Sequence, residues 1–379
     1  MNSLRHICIV SDNYPTREDP VSPFVAQLAE AIVKLGVAVT IIAPQSYVKV
    51  KIGGAPAHPQ RRCIEYDNAR LTIFQPYCLS FSGYTPKLNE WSRRRAVEKC
   101  FERLESKPDV CYGHFWHSGY YIYRKAKKYN LPLFVATGES VISFSANTDI
   151  KKKFCDYVKG VICVSTKNKI ESIDKGLTNT DKCIVVPNAI NNKVFRLLDK
   201  QECRKSLGVN EDDFVVAFVG WFSERKGSLR VAEAINKLKI DNIKSMFIGS
   251  GPVEFEPQCE NIIFKGRLSH EDIPRYLNAA DVFVLPTQNE GCCNAIVEAM
   301  ACGLPVISSK LPFNFDILDE DNSVMVDPQD VDEIAHAIHQ LFDDKVEVKR
   351  LSQNATQTSK SLEINNRAKT IMDFIQSKM

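Results

Sequence analysis

Short apolar runs, each followed by a stretch of helical periodicity, recur from one end of the chain to the other. The first is His6–Val10, long enough for a buried strand. Phe24, Leu28, Ile32 and Leu35 then recur at helical spacing up to Gly36, and a second strand is predicted over residues 38–43. Such a βαβ unit implies a parallel sheet. Residues 44–90 read as irregular, and a helix carrying Trp91, Arg93, Arg94, Arg95 and Phe101 follows, apolar on one side and basic on the other. Strands are predicted at 109–117, 133–136, 160–165 and 183–187.

The pattern then restarts. A strand at 214–219 leads into a Gly-bounded loop and a helix over 228–238, with Val231, Ala234, Ile235 and Leu238 inward. Strand-to-turn units follow at 246–252 and 262–268, then strands at 281–285 and 305–308 around a short helix with a cap at Asn294 and a stop at Gly303. Helices at 332–342, 346–359 and 364–379 close the chain. No internal repeat or low-complexity tract interrupts the series.

A chain of 379 residues with 44% hydrophobic and 25% charged residues accommodates two ordinary globular domains. Its apolar runs are far too short to span a membrane, and the amino-terminal residues run straight into a strand with no signal-peptide pattern. Thirteen cysteines, an odd number, lie largely inside apolar runs and lack zinc spacing, as expected of buried thiols in a cytoplasmic protein. Residues 1–195 hold 28 Lys and Arg against 17 Asp and Glu, whereas 196–379 hold 21 against 29. A basic amino-terminal half suits anionic lipid headgroups at a membrane periphery or a polyphosphate-linked acceptor; a solvated Lys-rich surface accounts for any one cluster equally well. Nothing points to nucleic acid.

The chemistry concentrates at 289–307. A strand's carboxyl end delivers Glu290 and Gly291 to the open amino end of a helix, whose free N–H groups and dipole suit an anion such as phosphate. Glu298 follows inside the helix, eight positions after Glu290. Carboxylates only accept hydrogen bonds, so beside a phosphate cradle they fit donors such as sugar hydroxyls. In the loop after 214–219, Arg225 offers a bidentate fork and Lys226 a point charge, both suited to a diphosphate. His114 lies where a strand's carboxyl end would meet a ligand.

Glu290 and Glu298 in this spacing, followed by Ala299-Met300-Ala301-Cys302-Gly303-Leu304-Pro305-Val306, resemble the nucleotide-sugar site of the retaining glycosyltransferases of family 4. The resemblance covers nearly the whole chain. It implies the GT-B fold: two Rossmann-like parallel-sheet α/β domains facing across a cleft, with the carboxyl-terminal helix crossing back to the first. The boundaries would be an acceptor domain at 1–195, a nucleotide-sugar domain at 196–360 and the returning helix at 361–379. Pro187-Asn188-Ala189-Ile190-Asn191 through Phe195 resembles the family's hinge, with Ala189 for glycine.

In that family Glu290 would meet donor-sugar hydroxyls, Glu298 the ribose, Lys226 the donor phosphates and His114 the transferred sugar. The backbone of Gly291, Cys292, Cys293, Asn294, Ala295 and Ile296 would line the diphosphate, and the turns at Gly249 and Arg267 would approach base and ribose. The loop with Pro20, Ser22 and Pro23 would face phosphate or acceptor, although Ser22-Pro23 stands where glycine is common. Thr137 replaces a usual histidine, and Trp221 a usual arginine, leaving Arg225 or an acceptor-side basic group to supply the fork. No cofactor or metal is implied; Asp319-Glu320-Asp321 reads as a surface turn.

The expected activity is retaining transfer of a hexosyl or N-acetylhexosaminyl group from a nucleotide-diphosphate sugar to a glycan or lipid-linked acceptor, in surface polysaccharide synthesis. The alternatives are a GT-B enzyme of another reaction, such as an epimerase or phosphorylase, and a non-catalytic nucleotide-sugar-binding protein.

Overall fold

The computed structural model describes residues 4–15, 23–81 and 85–379. Two compact units result, Met1–Val186 with Ile364–Met379, and Pro187–Glu363; each is described by itself. Pro20 and Ser22 lie outside the described residues. Pro23 opens the helix Pro23–Lys34, where its missing N–H leaves no helix bond unmade.

The first unit is built on an eight-stranded sheet. Its strands lie in the order Cys183–Val185, Gly160–Cys163, Leu133–Thr137, Val110–His114, His6–Val10, Ala38–Ile42, Arg70–Phe74 and Arg61–Glu65. All neighbours are parallel except the last pair, an antiparallel hairpin. The hairpin and the short paired strands Gln45–Ser46 and Tyr77–Cys78 correct the irregular reading of 44–90. Arg61–Glu65 is an edge strand, mostly exposed, so it carries no buried apolar signal. In Arg70–Phe74 only Leu71 and Ile73 point inward.

The strand expected over 109–117 ends at His114, and Trp116–Lys128 is a helix. Phe115 between them turns the chain with φ of 78°. Trp116 is completely buried and packs on Phe144 and Phe154. The carboxyl-terminal helix Ile364–Ser377 buries Ile364, Ala368, Ile371, Met372 and Ile375, and Phe374 lies edge-on to Phe134.

The second unit is a six-stranded, wholly parallel sheet in the order Ile262–Gly266, Ile243–Ser250, Phe214–Trp221, Val282–Leu285, Val306–Ser309, Ser323–Val326. Buried on both faces, its central strands are nearly continuous Val and Phe. The chain runs outward to one side from Phe214–Trp221 and to the other from Val282–Leu285. Those two strands therefore flank the switch point of a doubly wound sheet, where ligands bind beyond the carboxyl ends. His6–Val10 and Val110–His114 play the same part in the first sheet.

The units divide at Val186/Pro187 rather than at 195. The intervening residues are tied into the second unit: Asn188 Nδ2 donates to Cys292 O at 2.9 Å, Ile190 N to Leu362 O at 2.9 Å, and Phe195 is buried.

Candidate functional site

At the switch point of the second sheet, the loop 222–227 and the segment 286–293 are laced together. Gln288 N donates to Arg225 O at 2.8 Å, and Arg225 Nη1 to Asn289 O at 2.6 Å. Gly227, at φ 78°, lets the first loop turn into the helix Ser228–Leu238; a Cβ there would lie 2.9 Å from Pro286 O. Arg230 fixes the same junction, donating to Pro286 O at 3.1 Å and pairing with Glu224 at 2.6 Å.

This lacing brings Arg225, Lys226 and Glu290 together. Lys226 Nζ lies 2.8 Å from Glu290 Oε1, with the two side chains only 12% and 14% exposed. Arg225, at the more open side, contacts the same oxygen, and Thr287 Oγ1 donates to it at 3.2 Å. Lys226 Nζ is also 3.6 Å from Cys293 Sγ. Burial pulls the Lys226 ammonium down, but Cys293 and Glu290 outweigh it and hold the ammonium above its ordinary value. Burial pushes the Cys293 thiol up despite Lys226 beside it.

The helix itself is Asn294–Ala301, and its cap residue is Cys293 rather than Asn294. Asn294 is the first helical residue, so its side chain does not occupy the capping position. Gly303, at φ 79°, follows the carboxyl end as expected. Gly291, Cys292 and Cys293 are buried, Asn294 and Ala295 half-buried and Ile296 fully buried. The Ile296 N–H is engaged by Cys293 O at 3.2 Å, so it is not an open donor for a ligand. Two cations and the positive helix end thus face one carboxylate, an excess of positive charge at this edge of the sheet.

Glu298 is not part of that cluster. Its Oε1 meets His270 Nε2 at 3.0 Å, and His270 stands edge-on to Phe195 at 4.8 Å. The hydrogen bond to Glu298 raises the His270 pKa against the opposing effect of burial. Sequence reasoning passed over His270, although it follows the carboxyl end of Ile262–Gly266 and so meets the criterion that singled out His114.

Gly249, at φ 155°, lies where a Cβ would come within 1.9 Å of Gly220 O, so the two strand ends approach closely only because of it. Arg267 Nε donates to Ser250 Oγ at 2.7 Å, and its guanidinium lies 6.0 Å from the Trp221 ring centre. The tryptophan at the usual arginine position is half exposed and sits against an arginine from another turn.

In the first unit, His114 lies at the switch point between Phe24, 5.3 Å away, and Phe115, 4.4 Å away. Both ring nitrogens are shielded and have no hydrogen-bond partner among the described residues. Burial, and then Arg367, lower its pKa to about 3, so the imidazole is neutral at pH 7. Glu139 in the next loop accepts from Thr137 Oγ1 at 2.8 Å and Gly138 N at 2.9 Å, and burial holds its carboxyl above the usual range.

The family models for group 1 glycosyl transferases and for glycosyltransferase family 4 match residues 199–358 and 21–193. The chain belongs to the family 4 type of glycosyltransferase and has the GT-B fold. Among its relatives is the "Putative teichuronic acid biosynthesis glycosyltransferase TuaC" of Bacillus subtilis, 24% identical over 87% of each chain. The Escherichia coli UDP-Gal:alpha-D-GlcNAc-diphosphoundecaprenol alpha-1,3-galactosyltransferase is 30% identical over 49% of this chain and 52% of its own. Among solved structures, a sucrose-phosphate synthase from Thermosynechococcus elongatus superimposes with a TM-score of 0.79 at 19% identity, covering 98% of both chains. Anabaena HepE, solved with UDP and glucose, gives 0.72 at 16% identity over 98% of this chain and 99% of its own.

Proposed function

We propose that this glycosyltransferase moves a hexosyl or N-acetylhexosaminyl group from a nucleotide-diphosphate sugar to a glycan or lipid-linked acceptor, with retention, in surface polysaccharide synthesis. The observation that carries the proposal is the convergence of Arg225, Lys226 and the amino end of Asn294–Ala301 on one small region beside Glu290. The names of the Bacillus and Escherichia coli relatives support the acceptor class.

Breaking the bond from the anomeric carbon to the donor phosphate leaves an electron-poor sugar carbon and a negatively charged diphosphate. Fixed positive groups where that charge develops lower the barrier most. Lys226 and Arg225 supply two, and the backbone N–H groups at the helix start add a third without reorganisation. These groups take the part a divalent ion would otherwise play, so the reaction needs no metal. Glu290, oriented by Lys226 and Thr287, accepts hydrogen bonds from sugar hydroxyls. Glu298, oriented by His270, accepts from the ribose hydroxyls. His114 stays neutral, and with both ring nitrogens shielded it acts through packing on Phe24 and Phe115. Retention follows from attack on the face the diphosphate leaves: the acceptor oxygen bonds to the anomeric carbon, and its proton passes to the departing phosphate oxygen. The thirteen unbridged cysteines support a reducing, cytoplasmic setting.

UDP-, GDP- and ADP-sugars, tried by thermal shift and then with lipid-diphosphate acceptors, test this. One base class should raise the melting temperature and yield a product of unchanged anomeric configuration, insensitive to chelator and lost in Glu290→Ala. A nucleotide sugar that binds but is never turned over would favour a non-catalytic binding protein, the reading that Trp221, Thr137 and Ala189 invite. An inverted product would refute retention.

A further inference from the structure

Between Ala38–Ile42 and Val110–His114, residues 44–103 build a side structure that none of the sugar-transfer groups use. Gln45–Ser46 pairs with Tyr77–Cys78, and Ser46 Oγ donates to Ser80 O at 3.2 Å. Leu79 N donates to Ser92 Oγ and Phe81 N to Asn89 Oδ1, both at 2.8 Å, binding the segment to the helix Pro86–Glu102. Along 77–81 the usual alternation is inverted. Cys78 and Ser80 are buried, while Tyr77, Leu79 and Phe81 face outward, 37%, 41% and 38% exposed. On the adjoining helix Leu88 and Trp91, three residues apart and therefore on one face, are 40% and 47% exposed. Tyr47 continues the surface, its ring edge-on to Tyr77 at 5.7 Å.

Five large apolar side chains gathered on one hydrogen-bonded substructure are more than scattered surface residues. Basic groups border them. Lys51 Nζ lies 5.7 Å from the Tyr47 ring centre, and the Arg95 guanidinium 5.7 Å from that of Trp91. A recess of about 430 Å³ opens beside Tyr77 and is lined by Arg61, Lys99 and Arg103; Glu105 takes one of these cations, Arg61, at 3.0 Å. Residues 44–103 hold 11 Lys and Arg against 5 Asp and Glu.

We propose that this face docks the protein on an anionic lipid bilayer. Tyr77, Leu79, Phe81, Leu88 and Trp91 enter the interfacial layer, and the bordering lysines and arginines meet headgroup phosphates. Aromatic rings and long basic side chains favour that boundary for the same reason: each has an apolar body and a polar tip. A second copy of the chain is the poorer occupant, since a self-contact would set one basic rim against the other.

Flotation of the full chain with vesicles of phosphatidylcholine alone, and of phosphatidylcholine with an equal part of phosphatidylglycerol, tests the proposal. Binding should require phosphatidylglycerol and fall with salt. Lys51→Glu with Arg95→Glu should weaken it by at least roughly fivefold per side chain. Leu88→Ser with Trp91→Ser should abolish it while leaving the circular dichroism spectrum, and transfer to a water-soluble acceptor, unchanged. Brominated lipid should quench tryptophan fluorescence, and Trp91→Phe should remove that quenching while flotation persists. Equal flotation with both vesicle types, or unaltered binding by both double variants, would overturn the proposal. So would a dimer in lipid-free solution that Trp91→Ser disperses, because the face would then belong to a second copy.

Discussion

Replacing Lys226 with methionine removes a charge while keeping most of the aliphatic stem, so it separates electrostatics from packing. The Lys226–Glu290 contact is 2.8 Å long and almost wholly inside the protein. Breaking a fully buried pair from one side costs about 3–5 kcal/mol. Here Glu290 keeps Arg225 and Thr287, so the loss should be nearer one charge-assisted hydrogen bond, about 1–3 kcal/mol. For a unit of this size, a melting point falls about 2–4 °C per kcal/mol, so the second unit should stay folded at assay temperature. Transfer should suffer far more. Removing one fixed group that stabilises transition-state charge costs about 100- to 1,000-fold in turnover. Melting curves of the free chain and initial rates with saturating acceptor give the two quantities separately. A variant that melts a few degrees lower yet transfers within about threefold of wild type would show that Lys226 only braces Glu290, and the charge argument would fail.

Other substitutions probe neighbouring parts. His270 is held above its usual pKa of 6.5 by Glu298, so its protonated form adds stability that is complete below that value and lost as pH rises through the higher folded value. The melting-temperature gap between wild type and His270→Gln should therefore shrink as pH rises, and a constant gap would contradict the pairing. Phe115 carries a positive φ that costs a non-glycine residue about 1–3 kcal/mol, and its ring flanks His114 at 4.4 Å. Phe115→Gly should leave stability within about 1 kcal/mol of wild type by denaturant titration while transfer falls; equal losses of both would make Phe115 ordinary packing. Arg204 is buried and donates to Ala279 O, Glu211 O and Asp213 O at 2.9–3.0 Å and to Asp281 at 2.5 Å. Arg204→Met should cost about 3–5 kcal/mol in denaturant titration without altering nucleotide affinity at 25 °C; a smaller loss would mean that Lys200 and the Val215 N–H satisfy Asp281 between them.

What could be read from the sequence follows burial. Strands such as Phe214–Trp221 and Val282–Leu285 are covered on both faces, so their apolar runs announce them. The hairpin at Arg61–Phe74 stayed hidden because its edge strand faces water, and 77–81 because its apolar residues point outward. At the site, Glu290 and Lys226 stand out by type and position, since strand ends at a switch point gather ligand-facing groups. Their mutual contact, and the pairing of Glu298 with His270, join residues 64 and 28 positions apart, which local spacing does not encode. Asn294 reads as the cap because asparagine commonly is one; the cap lies one residue earlier, at Cys293, and Asn294 is already helical.

The charge surplus formed by Arg225, Lys226 and the Asn294–Ala301 helix end is the centre of the account, and calorimetric titration of the free protein with nucleotides measures it directly. For the preferred base, the nucleoside diphosphate should bind about tenfold or more tightly than the monophosphate, and that difference should vanish in Lys226→Met. Equal affinities for the two, or undiminished discrimination in the variant, would contradict it.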